Sequence, residues 1–120
     1  VMSWTNLTVD SDYNISLVRG DSATFDVPLV AVDEEGHETP YTPLEGEVLR
    51  FALSQKYGAD RSEVLILKDI PIDTLELSIE PEDTKPLAFG KYKYDIEFTD
   101  IAGYVTTVLE AIFTVAKEVY

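Results

Sequence analysis

The sequence of 120 residues has no cysteine and a single histidine, His37. Without cysteine the chain can form no disulfide, use no thiolate in catalysis and bind no metal through sulfur. One histidine without cysteine also leaves no credible ligand set for zinc. No run of about 18 apolar residues occurs, so no segment has the pattern of a membrane-spanning helix. The lack of cysteine is consistent with assembly in a reducing cytoplasm.

Basic residues are scarce as well. Nine Lys and Arg stand against 23 Asp and Glu, which gives a net charge of −14. Proteins bind nucleic acid through positive charge placed against phosphates, so we expect no nucleic acid partner. The same repulsion argues against an anionic membrane surface. The acidic surface serves solubility; the sharper alternative is that it faces a partner with a basic surface.

Hydrophobic alternation with a period of two dominates the chain and predicts strands. The predicted inward residues fall in seven segments, at 15–17, 23–31, 49–53, 64–67, 75–79, 92–98 and 105–115. Pro28 cannot donate to a ladder, so we expect an edge or a bulge there. Pro81 followed by two acids predicts one helical turn. Strands without intervening helices predict an all-β, immunoglobulin-like antiparallel β-sandwich, a single domain over 1–120 with an N-terminal extension at 1–14.

The most specific local motif lies between residues 87 and 94. Immunoglobulin-like sandwiches often carry a tyrosine at the start of the sixth strand, and its hydroxyl bonds to backbone a few residues upstream. Tyr92 fits this role, with Gly90 two residues before it and Tyr94 two residues after it. We therefore predict a structural corner formed by these three residues. The alternative is that Tyr92 is an ordinary half-buried strand residue.

Several short motifs follow one another in a defined order. They are Ile15 to Phe25 with Arg19-Gly20-Asp21, Leu44-Glu45-Gly46 with Phe51, Pro81-Glu82-Asp83-Thr84, Leu87, Gly90 to Asp95, Gly103, Thr106-Thr107-Val108 and Phe113-Thr114-Val115. This order resembles the Ig-like domains of structural proteins from phages and prophages of Gram-positive bacteria, and is similar to the N-terminal domain of the baseplate upper protein family.

The resemblance covers about residues 15–115 and implies a virion or tail protein, of a baseplate-like kind, that assembles with other phage structural proteins. It further implies a homo-oligomer in the assembled particle, and localisation in a virion that is put together in the bacterial cytoplasm. It carries over no catalytic residue and no cofactor, because the motifs look architectural.

Candidate catalytic and metal-binding residues are few. His37 lies in an acidic loop, and no serine stands in a Gly-x-Ser-x-Gly elbow, so we predict a solvated histidine and no enzyme. With so many acids, no carboxylate pair can be singled out for glycoside hydrolysis. Calcium is the alternative to solvated loops at two acidic clusters, but neither has the spacing of a twelve-residue calcium loop. These clusters are Asp10-Ser11-Asp12 and Asp33-Glu34-Glu35 with Glu38. We therefore predict no metal and no cofactor.

The expected function is a non-catalytic structural protein that mediates protein–protein assembly. Trp4 and Tyr13 are candidate interface residues, because tryptophan is enriched at interfaces; the alternative is that Trp4 caps the sandwich. A different class of function, a carbohydrate-binding or cell-surface adhesion module, would use loop aromatics such as Tyr41 and Tyr57 to stack on sugars.

Overall fold

A computed structural model of the protein describes residues 7–9, 12–56 and 63–117, and the structural statements below refer to these residues. They contain β1 (Leu7–Val9), β2 (Ile15–Val18), β3 (Ala23–Asp26), β4 (Val30–Val32), β5 (Glu38–Pro40), β6 (Val48–Ser54), β7 (Ile66–Ile70), β8 (Glu76–Ile79), β9 (Gly90–Thr99) and β10 (Val105–Ala116). One helical turn, α1 (Pro81–Thr84), lies between β8 and β9. The prediction of an all-β protein is confirmed.

Six strands form a sheet with the order β1-β2-β10-β9-β6-β7, which curls into a half-barrel. Two further ladders, β3–β8 and β4–β5, have two strands each. All pairs are antiparallel except β2 and β10, which run parallel with Ile15 beside Phe113. The sequence predicted antiparallel pairing throughout, and this pair corrects it. Its two strands are far apart in the chain, so no local turn signal reports their relative direction.

One hydrophobic core is shared by the six-stranded sheet and the β3–β8 ladder. Its centre is aromatic. The Phe51 and Tyr94 rings lie 5.4 Å apart, and Phe113 lies 6.5 Å from each of them. Leucine and isoleucine side chains on the inner faces fill the space around these rings, as in Leu17, Leu49, Leu53, Leu77, Ile79 and Ile96. Aromatic pairs in edge-to-face arrangements stabilise a core beyond the area that they bury.

The strand predicted over residues 23–31 is broken at Pro28. β3 ends at Asp26, and β4 begins at Val30 and pairs with β5 in a separate ladder. Between them the Val27 N–H donates to the Leu75 carbonyl at 2.9 Å. Pro28 has no N–H for a ladder, so the strand ends where its hydrogen bonding would fail.

The boundaries of the predicted fourth strand are wrong. It was predicted at 64–67 and lies instead at Ile66–Ile70, because pairing with β6 places Ile66 opposite Leu53 and Ile70 opposite Leu49. Leu65 and Leu67 are therefore exposed. Within the N-terminal extension, Leu7–Val9 adds a strand to the sheet, since β1 pairs with β2. In both cases long-range pairing decides the register, and a short apolar run alone does not.

The last strand was predicted with one inward face from residue 105 to 115. A register shift between Thr107 and Leu109 interrupts that face. Beyond the shift Leu109 pairs with Ile96 and the inner face continues, whereas before it Val105 pairs with Thr99 and is exposed. An extra residue in one strand moves the alternation to the other face, so the beginning of β10 points its apolar side chain outward.

The predicted helical turn is present as α1, which begins at Pro81. The Glu80 N–H donates to the Asp83 carboxylate at 2.7 Å, which caps the turn at its beginning. Lys68 of β7 pairs with the same carboxylate and donates to the Ser78 carbonyl at 2.9 Å. α1 is thereby fastened to both β7 and β8.

Replacement of Phe51 by alanine should lower the free energy of unfolding by about 3–5 kcal/mol, because it leaves a cavity at the centre of the core. The neighbouring Arg50→Ala is the matched control. Its side chain points outward in an exposed ion pair with Asp69, and its loss should cost less than about 1 kcal/mol. Urea unfolding of both variants measures the difference. Equal losses would contradict the assignment of faces on β6.

Candidate functional site

The Arg19-Gly20-Asp21 turn lies against the segment that joins α1 to β9. The Gly20 N–H donates to the Thr84 hydroxyl at 2.8 Å, across 64 residues of sequence. The Arg19 guanidinium lies 4.3 Å from the centroid of the Phe89 ring and donates to the Leu87 carbonyl at 3.4 Å. Thr84 is fully buried, so its hydroxyl needs this partner. These contacts fasten the end of β2 to the chain crossing that leads into β9.

The three residues predicted to form the corner share β9. The Tyr92 hydroxyl donates to the Ala88 carbonyl at 2.7 Å, four residues upstream, which is the kind of bond that the motif predicted. Gly90 has φ +142°, a conformation that other residues rarely adopt. Tyr94 is buried, and its hydroxyl donates to the Tyr13 carbonyl. All these contacts are within the protein and serve the architecture.

Of the two candidate interface residues, Tyr13 and Trp4, the structure describes Tyr13. Tyr13 is half-buried, and its ring lies edge-on to Phe25 with centroids 6.5 Å apart. Its backbone has φ +63°, which holds the chain in a turn before β2. Trp4 lies outside the described residues. An interface role for either remains a prediction, and the ring of Tyr13 already packs on the core.

His37 sits in a self-contained turn. The Asp33 carboxylate accepts hydrogen bonds from the Glu35 and His37 N–H groups, both at 2.9 Å, and lies 3.2 Å from the His37 ring nitrogen. The backbone bond from His37 is the main cause that lowers the pKa of Asp33. The structure thus brings His37 together with acids of its own loop. A catalytic triad would need His37 beside a serine such as Ser22, Ser54 or Ser62. Ser22 and Ser54 lie elsewhere in the fold, and Ser62 lies outside the described residues.

Two acidic clusters were considered for calcium. The first is only partly described, since Asp10 and Ser11 lie outside the described residues. In the second cluster Asp33 caps its own loop, as above. Over residues 7–9, 12–56 and 63–117, no three His, Asp or Glu side chains are grouped so that they could hold a metal ion.

Tyr41, named for the carbohydrate alternative, is tied into the fold. Its hydroxyl donates to the Glu47 carboxylate at 2.7 Å, and its ring lies edge-on to Phe98 at 5.7 Å. The hydrogen bond to Glu47 is the main cause that raises the pKa of Tyr41, followed by burial and by the negative charges of Glu47 and Asp100. Tyr57 lies outside the described residues.

An exposed apolar surface, which the sequence did not predict, lies at the turns 44–47 and 100–104 and at the ends of the strands next to them. Its members are Tyr104 (71% exposed), Ile101 (66%), Leu44 (59%), Val105 (52%) and Val48 (37%). We call these five residues the apolar end patch. Val48 and Val105 flank Thr99 on neighbouring strands, and the Ile101 side chain lies within 3.7 Å of where a Cβ on Gly46 would stand. The patch therefore joins two turns and the ends of three strands.

Asp95 marks an acidic row on the outer face of the six-stranded sheet. It is half-buried beside Glu110 on β10, and its Oδ1 accepts no hydrogen bond from the described residues. Burial raises the pKa of Asp95, and the charges of Glu97 and Glu110 raise it further. The ionised carboxylate of Asp95 is therefore less favourable in the folded chain than in water.

Comparisons with known proteins do not assign the chain: no protein-family model, no curated protein and no solved structure matches it. Among the described residues, no helix is long and apolar enough to cross a membrane.

Replacement of Tyr92 by phenylalanine should lower the free energy of unfolding by about 1 kcal/mol, because it removes the hydrogen bond to Ala88 and leaves the ring in place. Tyr104→Phe is the matched control, since that tyrosine is exposed, and its effect should stay below about 0.5 kcal/mol. Thermal and urea unfolding report both values. If the two variants lose the same stability, the corner contributes nothing specific.

Asp95→Asn should make the protein more stable at neutral pH. The folded-state pKa of Asp95 is raised, so the folded state binds its proton more tightly than the unfolded state, and stability falls as pH rises through the folded pKa. The advantage of the variant should therefore vanish as pH falls towards 3.8, the ordinary pKa of an aspartate, because the carboxyl is then protonated in both states. Glu38→Gln, an exposed residue on β5, makes the same charge change and controls for general repulsion. Equal gains in both would contradict a local cause.

Proposed function

We propose that this chain is a non-catalytic assembly module of a phage or prophage particle, in a tail or baseplate-like structure, and that its fold is an immunoglobulin-like sandwich. The observation that carries the proposal is that motifs behind the resemblance meet in space. Arg19 and Gly20 contact Thr84, Leu87 and Phe89 although more than sixty residues separate them. Motifs that form one structural contact are more specific together than the same motifs scattered over a surface.

The strand pairing supports the immunoglobulin-like part of the proposal. In such sandwiches the second strand pairs with the fifth, while the third, sixth and seventh share the other sheet. Here β3 pairs with β8, and β10-β9-β6 are neighbours in the larger sheet. The tyrosine corner then falls on β9, the strand that corresponds to the sixth. The helical turn α1 crosses from one sheet to the other just before it.

The chemistry of the described residues also favours binding over catalysis. Hydroxyl and carboxylate groups with assigned partners, at the buried Tyr92 and Thr84 and at Asp33, hold turns and crossings together. Five of the eleven large hydrophobic residues that are exposed in the described part of the chain form the apolar end patch, and the other six lie elsewhere. Exposed apolar groups that lie near one another are typical of a site that binds another macromolecule.

The proposal predicts that the chain is a fixed component of particles. Phage or prophage particles from the strain that encodes it, purified on a density gradient, should contain the chain at a constant ratio to the major tail protein by quantitative mass spectrometry. A host cytosolic protein of similar abundance serves as the control for adhering contaminants. If the chain is absent from the particle band, or varies like the contaminant, the proposal is wrong. Hits on a glycan array would favour the carbohydrate-binding alternative instead.

A further inference from the structure

The two chain segments that form the apolar end patch carry charge of one sign only. Residues 41–49 and 98–108, which form the patch and its supporting turns, contain Glu45, Glu47 and Asp100 but no Lys, Arg or His. Arg50, the next basic residue along β6, is in an ion pair with Asp69 at 3.0 Å. A partner that covers the apolar groups therefore meets a negative field that no neighbouring cation in these segments balances.

We propose that the apolar end patch is the surface through which the module binds its partner, and that the partner is a different protein that surrounds an apolar centre with Lys or Arg. This inference rests on the proposed function in one respect, namely that the partner is another protein of the particle. Opposite charge at the rim of an interface favours encounter and selects the partner, while buried apolar and aromatic groups supply affinity. Tyr104, large and exposed, is the natural anchor.

A second copy of this chain does not fit the same surface. A two-fold dimer through the patch would bring Glu45 and Asp100 of both copies into one interface, because such an interface is self-complementary, and residues 41–49 and 98–108 offer no basic partner for them. Each copy also carries a net charge of −14, so the approach is repulsive over a wide range. Any homo-oligomer in the particle would then use other surfaces, such as strand edges.

The patch is held in shape before any partner arrives. The Asp100 carboxylate accepts from the Tyr104 N–H at 2.9 Å, and the Gly103 N–H donates to the Asp100 carbonyl at 3.0 Å. On the other turn the Leu44 N–H donates to the buried Glu47 carboxylate at 2.7 Å. Binding to a preformed surface costs little conformational entropy.

A titration with synthetic peptides tests the chemistry without any particle. Three capped peptides of one length alternate leucine with lysine, with glutamate or with serine, and each is added to the full ¹⁵N-labelled chain. The lysine peptide should shift the amide signals of residues 44–48 and 100–105 and should bind more weakly as salt is added. Stronger or equal binding of the serine or glutamate peptide, or shifts confined to other strands, would overturn the proposal.

Two variants locate the binding on the patch. Ile101→Ser should weaken the lysine peptide by about tenfold or more, as expected for an apolar residue at the centre of an interface. Val32→Ser is the matched control, since Val32 is equally exposed (63%) on the separate β4–β5 ladder, and it should bind like the unmodified chain. Both positions are exposed, so the unchanged remainder of each spectrum verifies folding. Unchanged binding by Ile101→Ser contradicts the assignment.

Photo-crosslinking in the particle separates this inference from the proposed function. The chain carries p-benzoylphenylalanine in place of Ile101, or in place of Val32, during particle assembly. Position 101 should crosslink to a different protein at a peptide that contains Lys or Arg beside apolar residues. Crosslinks from position 32 alone, to a second copy, or to an acidic peptide would refute the patch while leaving the assembly role intact. Absence of the chain from particles would refute the assembly role, and the peptide titration would still decide the patch.

Discussion

The hydroxyl of Tyr94 must be satisfied inside an otherwise apolar core, and much of the architecture is arranged around it. The ring is 1% exposed and packs between Phe51 and Phe113, so β6, β9 and β10 all contribute to its surroundings. Burial of an unpaired hydroxyl would cost several kcal/mol, of the order of 2–7. The Tyr13 carbonyl accepts the hydrogen bond and thereby ties the segment before β2 to the centre of the sheet. β2 can then run beside β10 as the one parallel pair.

A second constraint acts where the chain crosses between the β3–β8 ladder and the larger sheet. α1 presents the buried hydroxyl of Thr84 to the Gly20 N–H, and Arg19 covers Phe89. A few residues later the Tyr92 hydroxyl closes the corner on Ala88. These bonds pair backbone groups that a sharp crossing would otherwise leave unpaired. The Arg19-Gly20 turn, α1 and the Tyr92 corner together secure the crossing.

The apolar end patch also results from the way strands pair in the six-stranded sheet. A register shift in β10 turns Val105 outward, and the tight turn at residues 100–104 places Ile101 over Gly46. Gly103 and Asp100 are local turn signals in the sequence, but no local signal indicates the patch. Its five members come from two separate stretches of chain. What brings them together is strand pairing, which a one-dimensional pattern does not contain. The net charge of the chain could be predicted from the sequence. The position of Glu45 and Asp100 beside the apolar end patch depended on the fold.

Sequence alone determined the features that depend on neighbouring residues. These include the all-β class, the helical turn at Pro81 and the corner tyrosine with its glycine, since each follows from backbone restrictions or short-range hydrogen bonds. Tertiary structure decided the addition of β1 to the sheet, the parallel β2–β10 pair, the register of β7 and the apolar end patch. Each of these is a choice between pairings of similar local energy. Contacts between distant residues select among them, as Leu53 does for Ile66 and Tyr13 for Tyr94.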